Sequence, residues 1–280
     1  MARILLVVSL ALFVVALVAF ALPRAERMRY LRLGAFTAGL VMLTVAIVVR
    51  FVDTGILPFA STQQFAAVFA WGTAAVGVSM EARRYEASRT VNLLGLVIAI
   101  ALVAWSAVSY HAQTVLVPAL QNNPLFLSHV VIAAAAYGSF VIAFGAAVGQ
   151  LAMREPVPAG EAVPAGRAAP AGERLVAGRV GPRELEAMGY QAVRIGFPLF
   201  TIAILLGSVW ADVAWGSFWS WDPKETASLV TWLIYAAYLH LRLSRGWAGR
   251  KLALVVIIGF VAVVTTFLGN FVFSGLHGYR

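Results

Sequence analysis

The sequence predicts an all-α integral membrane protein, a bundle of about eight transmembrane helices with both termini on the outer, extracytoplasmic side. Three observations predict it. Hydrophobic residues make up 61% of the 280 and charged residues only 12%, against roughly 25% charged in a soluble domain. Apolar runs recur at the length of ~20 residues that crosses a bilayer core of about 30 Å. Basic residues alternate sharply from one polar segment to the next, as they do in multi-pass proteins.

Taken in order, the apolar runs place helices near 4–22, 34–52, 63–80, 91–110, 127–152, 195–213, 226–243 and 252–273. The first run lacks the strongly basic start of a signal peptide and is followed by further spans, so it reads as a retained helix. The polar segments after helices one, three, five and seven hold seventeen of the 21 basic residues, Arg32, Arg89, Arg154 and Arg242 among them. The opposite side has only Arg3, Arg50, Lys224 and Arg280. Lys and Arg accumulate in cytoplasmic loops, which sets the orientation. The formal charge of +9 is therefore a topology signal, and no nucleic-acid partner is implied.

Residues 154–194 include PVPAGEAVPAGRAAPAGER, a Pro-Ala-Gly triplet repeating every six residues. Such a segment cannot sustain a helix or build a core. It reads as a cytoplasmic linker between helices one to five (1–153) and helices six to eight (195–280), the latter carrying an external loop at about 210–225. The chain has no cysteine, so it does no thiol chemistry, forms no disulfide and holds no metal through sulfur.

On this topology His111, His129 and His277 lie outside, whereas His240 lies near the cytoplasmic end of helix seven. It follows Asp222 by 18 residues, or about 27 Å along a continuous helix. Neutral imidazole is a strong axial ligand for haem iron, and His129 and His277 share one membrane depth. The plainer alternative is an interfacial histidine bonded to headgroups or backbone; His240 could likewise snorkel between Arg242 and Arg245.

The external segment WADVAWGSFWSWDPKE sets Trp210, Trp215, Trp219 and Trp221 beside Phe218 and Asp222. An aromatic belt explains one or two tryptophans at a helix end. It does not explain aromatics interleaved with small residues, an acid and a lysine. Flat aromatic faces suit a flat macrocycle, and Gly216 and Ser217 allow close approach. Lys224 could meet a haem propionate, or instead pair with Glu225 or Asp222. Asp222, Pro223 and Glu225 also spell a helix start, as N-cap, first-turn proline and capping-box acid.

WGSFWSWDPKETASLVTWLIYAAYLHLR, with PLFLSHVVIAAAAYGSFVIAF and FLGNFVFSGLHGYR, resembles the tryptophan-rich WWD signature of the haem-handling CcsA (ResC) family of system II cytochrome c biogenesis. The match is good over about 115–150 and 196–280 and loose over the first hundred residues; the Pro-Ala-Gly linker departs from it. The resemblance implies that His129 and His277 are external axial ligands of haem b, flanking the loop, where Trp215, Phe218, Trp219, Trp221, Asp222 and Lys224 are the candidates to hold it on their own chemistry. His240 matches the histidine of a second, intramembrane haem site, and His111 matches nothing.

The resemblance further implies a bacterial inner-membrane protein acting with a CcsB/ResB-type subunit as a cytochrome c synthase. Its substrate would be an apocytochrome c with a Cys-x-x-Cys-His site, whose thiols add to the haem vinyl groups while its histidine displaces one external histidine. Thioredoxin-like thiol reductants would serve it indirectly. No second histidine lies near the depth of His240, so a second chain, or a Met, Tyr or water, would complete that site, which separately argues for a partner subunit. The alternatives are a CcmC-like haem delivery protein, a transporter with an interfacial tryptophan belt, and a purely structural subunit.

Overall fold

The computed structural model describes residues 1–22, 26–55, 62–82, 88–110, 124–153 and 181–272. Among them it has eight α-helices and no strand: α1 (Ala2–Ala21), α2 (Glu26–Thr54), α3 (Thr62–Ala82), α4 (Ser88–Val108), α5 (Pro124–Ala152), α6 (Pro182–Trp215), α7 (Pro223–Arg245) and α8 (Arg250–Val272). Seven are long and apolar enough to cross a bilayer. The exception is α7, where Thr226, Ser228, Thr231, His240 and Arg242 dilute an otherwise apolar sequence. A helix satisfies its own backbone groups, the requirement for any segment in lipid. This is a multi-pass membrane protein.

The helices run up and down, and side chains bridge neighbours at both ends. At one end Arg89, opening α4, donates to the carbonyls of Phe20 and Leu22 at the close of α1 (2.7 and 2.6 Å). Arg32 near the start of α2 pairs with Glu81 near the end of α3 at 3.3 Å. Glu186, in the second turn of α6, accepts from Arg242 of α7 (2.6 Å), from the Gly249 amide ahead of α8 (3.0 Å) and from Gln150 of α5 (3.3 Å). We call this the braced end. At the other end Phe126 of α5 meets Trp210 of α6, and Lys224 of α7 lies over Phe65 of α3.

Three expectations change. Helix six starts at Pro182, so residues 182–194 belong to a helix and not to the linker. Glu184 folds back onto the Gly181 amide at 3.3 Å to open it, and Leu185, Met188 and Val193 are buried along one face. Helix two likewise begins eight residues early, at Glu26. Third, Arg32, Arg89 and Arg242 do share one end, yet each is spent on a contact inside the protein.

Two large apolar cores fill the bundle, one between α1, α2, α3 and α4, the other centred on α5 with α6, α7 and α8. A smaller third cluster of Val68, Phe126, Val130, Ala134 and Trp210 lies at the end opposite the braced one. Phe140, Val141, Ile142 and Ala143 are all fully buried, as expected of a helix enclosed on every side. Gly72 and Gly138 let the backbones of α3 and α5 touch, and a Cβ on either would strike the other helix's carbonyl group. Without a hydrophobic force between helices in lipid, such close crossings supply the attraction. This crossing forms the seam between the two cores.

Candidate functional site

The α6–α7 connection is short and tightly knitted. Gly216 ends α6 in the left-handed region, with φ of 73°, and returns its amide to the Asp212 carbonyl at 2.8 Å. Asp222 then caps α7 by accepting from the Lys224 amide at 2.9 Å. Glu225 reaches back to the amides of Asp222 (3.3 Å) and Ser220 (2.8 Å). Both acids are thus engaged with backbone, and the capping box read from the sequence is present. Trp221 sits at φ of 59°, unusual for a bulky residue, and is 70% exposed; Phe218 is 58% exposed. Trp219 meets Trp221 edge-on with centroids 6.0 Å apart.

The tryptophans divide into two kinds. Trp210 is 2% exposed and is wedged between Phe126 (4.9 Å) and Trp215 (4.7 Å), so this pair fixes α5 against α6. Trp219, Trp221 and Phe218 belong to the connection, with Phe218 and Trp221 exposed and Trp219 half-buried.

Beside this loop a small cleft, with about 50 Å³ of free space, opens between α3, α5, α8 and the start of α7. Its walls include Phe65, Phe69, His129, Tyr137, Lys224 and Phe267. His129 Nδ1 lies 2.6 Å from the Ala203 carbonyl oxygen of α6. A carbonyl only accepts, so Nδ1 carries the proton and Nε2 keeps a bare lone pair. The Lys224 ammonium lies 4.9 Å from the centre of the Phe65 ring and lines the same cleft. Thr266 of α8 also borders the cleft and shares a hydrogen bond with Thr231 of α7 at 3.2 Å.

Of the residues singled out from the sequence, His129 and Lys224 share this cleft, with Phe218, Trp219 and Trp221 on the adjoining loop. Trp215 packs against Trp210, and Asp222, 7% exposed, is a helix cap. His240 is exposed on the side of α7 toward the braced end and does not line the cleft. His111 and His277 lie outside the described residues, the latter beyond the end of α8, whose Thr266 and Phe267 border the cleft. Sequence reading missed Tyr137, although its place two turns beyond His129 puts it on the same helix face. Phe65 and Phe267 come from distant helices and carry no local signal.

Comparison with known proteins agrees. The sequence model of the family described as Cytochrome C assembly protein matches residues 2–277. The chain is 33% identical to the cytochrome c biogenesis protein CcsA of Gloeobacter violaceus, over 93% of this chain and 89% of that protein. It is 34% identical to CcsA of Synechocystis sp., over 88% and 86% of the two chains. CcsA of Microcystis aeruginosa is also 34% identical, over 82% and 81%. The chain belongs to the cytochrome c assembly protein family.

Proposed function

We propose that this chain binds haem b in the cleft and on the aromatic loop and presents it for covalent attachment to an apocytochrome c. Family membership already assigns it to cytochrome c biogenesis. The observation that carries the finer reading is the His129 imidazole, whose Nδ1 is spent on Ala203 and whose Nε2 is left for a ligand beside the cleft. A metal-bound histidine commonly donates its other ring nitrogen in this way.

The lining has the chemistry a haem needs, and the cleft, with about 50 Å³ free, would widen to admit one. Phe65, Phe69, Tyr137 and Phe267 give the cleft flat apolar walls, and Lys224 brings a cation suited to a propionate. Phe218, Trp219 and Trp221 offer further faces at the loop, with Asp222 and Glu225 holding the loop in shape. The resemblance adds His277 as the second external ligand. Bound haem supplies vinyl groups, across which the cysteine thiols of the substrate add, each forming a carbon–sulfur bond and passing its hydrogen to the neighbouring carbon. The protein's part is to hold and orient.

The basic residues concentrated at the braced end favour a cleft on the outer face, and on this proposal the membrane is a bacterial inner membrane. His240, exposed on the bundle side, suits a second haem site completed by a CcsB/ResB-type subunit. The test is the absorption spectrum of the complex purified in detergent, beside His129→Ala, His277→Ala and His240→Ala. Six-coordinate haem altered by the first two changes and diminished by the third supports the reading. Unchanged haem content and holocytochrome yield in His129→Ala refutes it.

A further inference from the structure

We infer that Gly207 of α6 is a positioning residue which, with the Ala203 carbonyl one turn before it, sets the direction and tautomer of the His129 ring; this rests on His129 being an iron ligand. Three glycines of α6 face α5. Gly189 meets Ala146 and Gly196 meets Ser139 and Phe140, ordinary close packing of two helices. Gly207 differs, because the space it leaves is filled by the His129 imidazole. A Cβ at 207 would lie 2.7 Å from both Nδ1 and Cε1 of that ring and 3.5 Å from Nε2.

Residues 203 and 207 are four apart and so share one helix face. Nδ1 is pinned to the Ala203 carbonyl at 2.6 Å, and the missing Cβ of Gly207 makes room for the same edge of the ring. Nε2 is thereby the ring nitrogen held farther from α6. Sliding α6 along α5 to absorb a methyl group at 207 would pull Trp210 off Phe126 one turn away, where the rings lie 4.9 Å apart. The ring must give, and any rotation or shift that relieves the contact breaks the Nδ1 bond and re-aims Nε2. Second-sphere partners of a ligating histidine are worth about 10–100-fold in metal affinity. Gly207 supports such a partner through shape.

The experiment compares wild type, Gly207→Ala, His129→Ala and the double variant, purified in detergent with the partner subunit. Without haem, Gly207→Ala should lower the thermal midpoint, and the double variant should return to the level of His129→Ala, since deleting the ring removes the clash. Nitrogen NMR of labelled histidine should show a single Nδ1–H tautomer for His129 in wild type and a mixture in Gly207→Ala. On haem titration, Gly207→Ala should bind about 10–100-fold more weakly with a changed spectrum. An equal fall in midpoint with or without the His129 ring, with tautomer and titration unmoved, would reduce Gly207 to helix packing and overturn the inference. If His129→Ala itself takes up haem as wild type does, the ligand reading fails, and the haem-free tautomer and midpoints still decide the role of Gly207.

Discussion

Helix α7 carries a buried cation at one end, Arg242, and a half-buried one at the other, Lys224, and the two are treated differently. Arg242 ends on the Glu186 carboxylate at 2.6 Å and lies over the Tyr190 ring, in a network that also binds Gln150 and the Gly249 amide. Lys224 ends on the face of Phe65 and a cleft shared with His129, with the Asp222 carboxylate acting on it from its own helix cap while that acid accepts from the Lys224 amide. A charge whose partner lies in its own chain serves the fold. On the proposed function, a charge that borders a cleft beside the His129 imidazole is placed for the ligand. The same division separates the whole braced end from the cleft end, and it predicts which substitutions will cost stability and which will cost binding.

The largest expected loss is at the brace. Glu186→Ala strips Arg242 of its counter-charge and leaves the Gly249 amide unsatisfied, which should cost about 3–5 kcal/mol, read as a lower thermal midpoint and a poorer yield of monodisperse protein in detergent. If the variant is as stable as wild type, the contrast between the ends collapses. Next comes His129→Ala, which should abolish haem retention at the cleft while costing the haem-free protein only about 1 kcal/mol for one hydrogen bond; absorption spectra and thermal unfolding separate the two. Lys224→Met should weaken haem binding by about tenfold, the loss of one charge-assisted hydrogen bond, with the midpoint unmoved. A lower midpoint with an unchanged haem titration would class Lys224 with Arg242. Smallest is Asp222→Ala, about 1 kcal/mol for a lost N-cap, with Asp222→Asn restoring most of it in the same unfolding measurement.

How much of this was legible in the sequence follows from the range of the forces. Apolar runs and basic clusters are local signals, so eight helices and their alternation could be read directly, as could the Asp222 and Glu225 cap. The start of α6 was misplaced because the Pro-Ala-Gly repeat drew the boundary too far along. Within 182–194, Leu185, Met188 and Val193 already show the helical spacing of a buried face. At the site, a histidine, a lysine and an aromatic loop were visible, but not their mutual placement. The cleft needs Phe65 from α3 and Phe267 from α8, more than two hundred residues apart, brought together only by packing. The division of the tryptophans into wedge and display was equally hidden, since burial depends on the facing helix. Gly207 offered no signal, because one glycine among many in an apolar helix says nothing until its neighbour is known.

The crossing of Gly72 over Gly138 has a mechanical consequence for the cleft. Ala134 and Tyr137, both in its lining, stand at this crossing, where α3 and α5 meet backbone to backbone with no side chain between them to compress. The floor of the cleft is therefore its stiffest part. A bulky planar guest can gain room only at the opposite wall, by displacing α8 and the first turn of α7. That first turn carries Lys224 and is tied through Glu225 to Ser220 in the aromatic loop. Were a guest to spread that wall, the movement would pass through Glu225 to Ser220 and the aromatic loop.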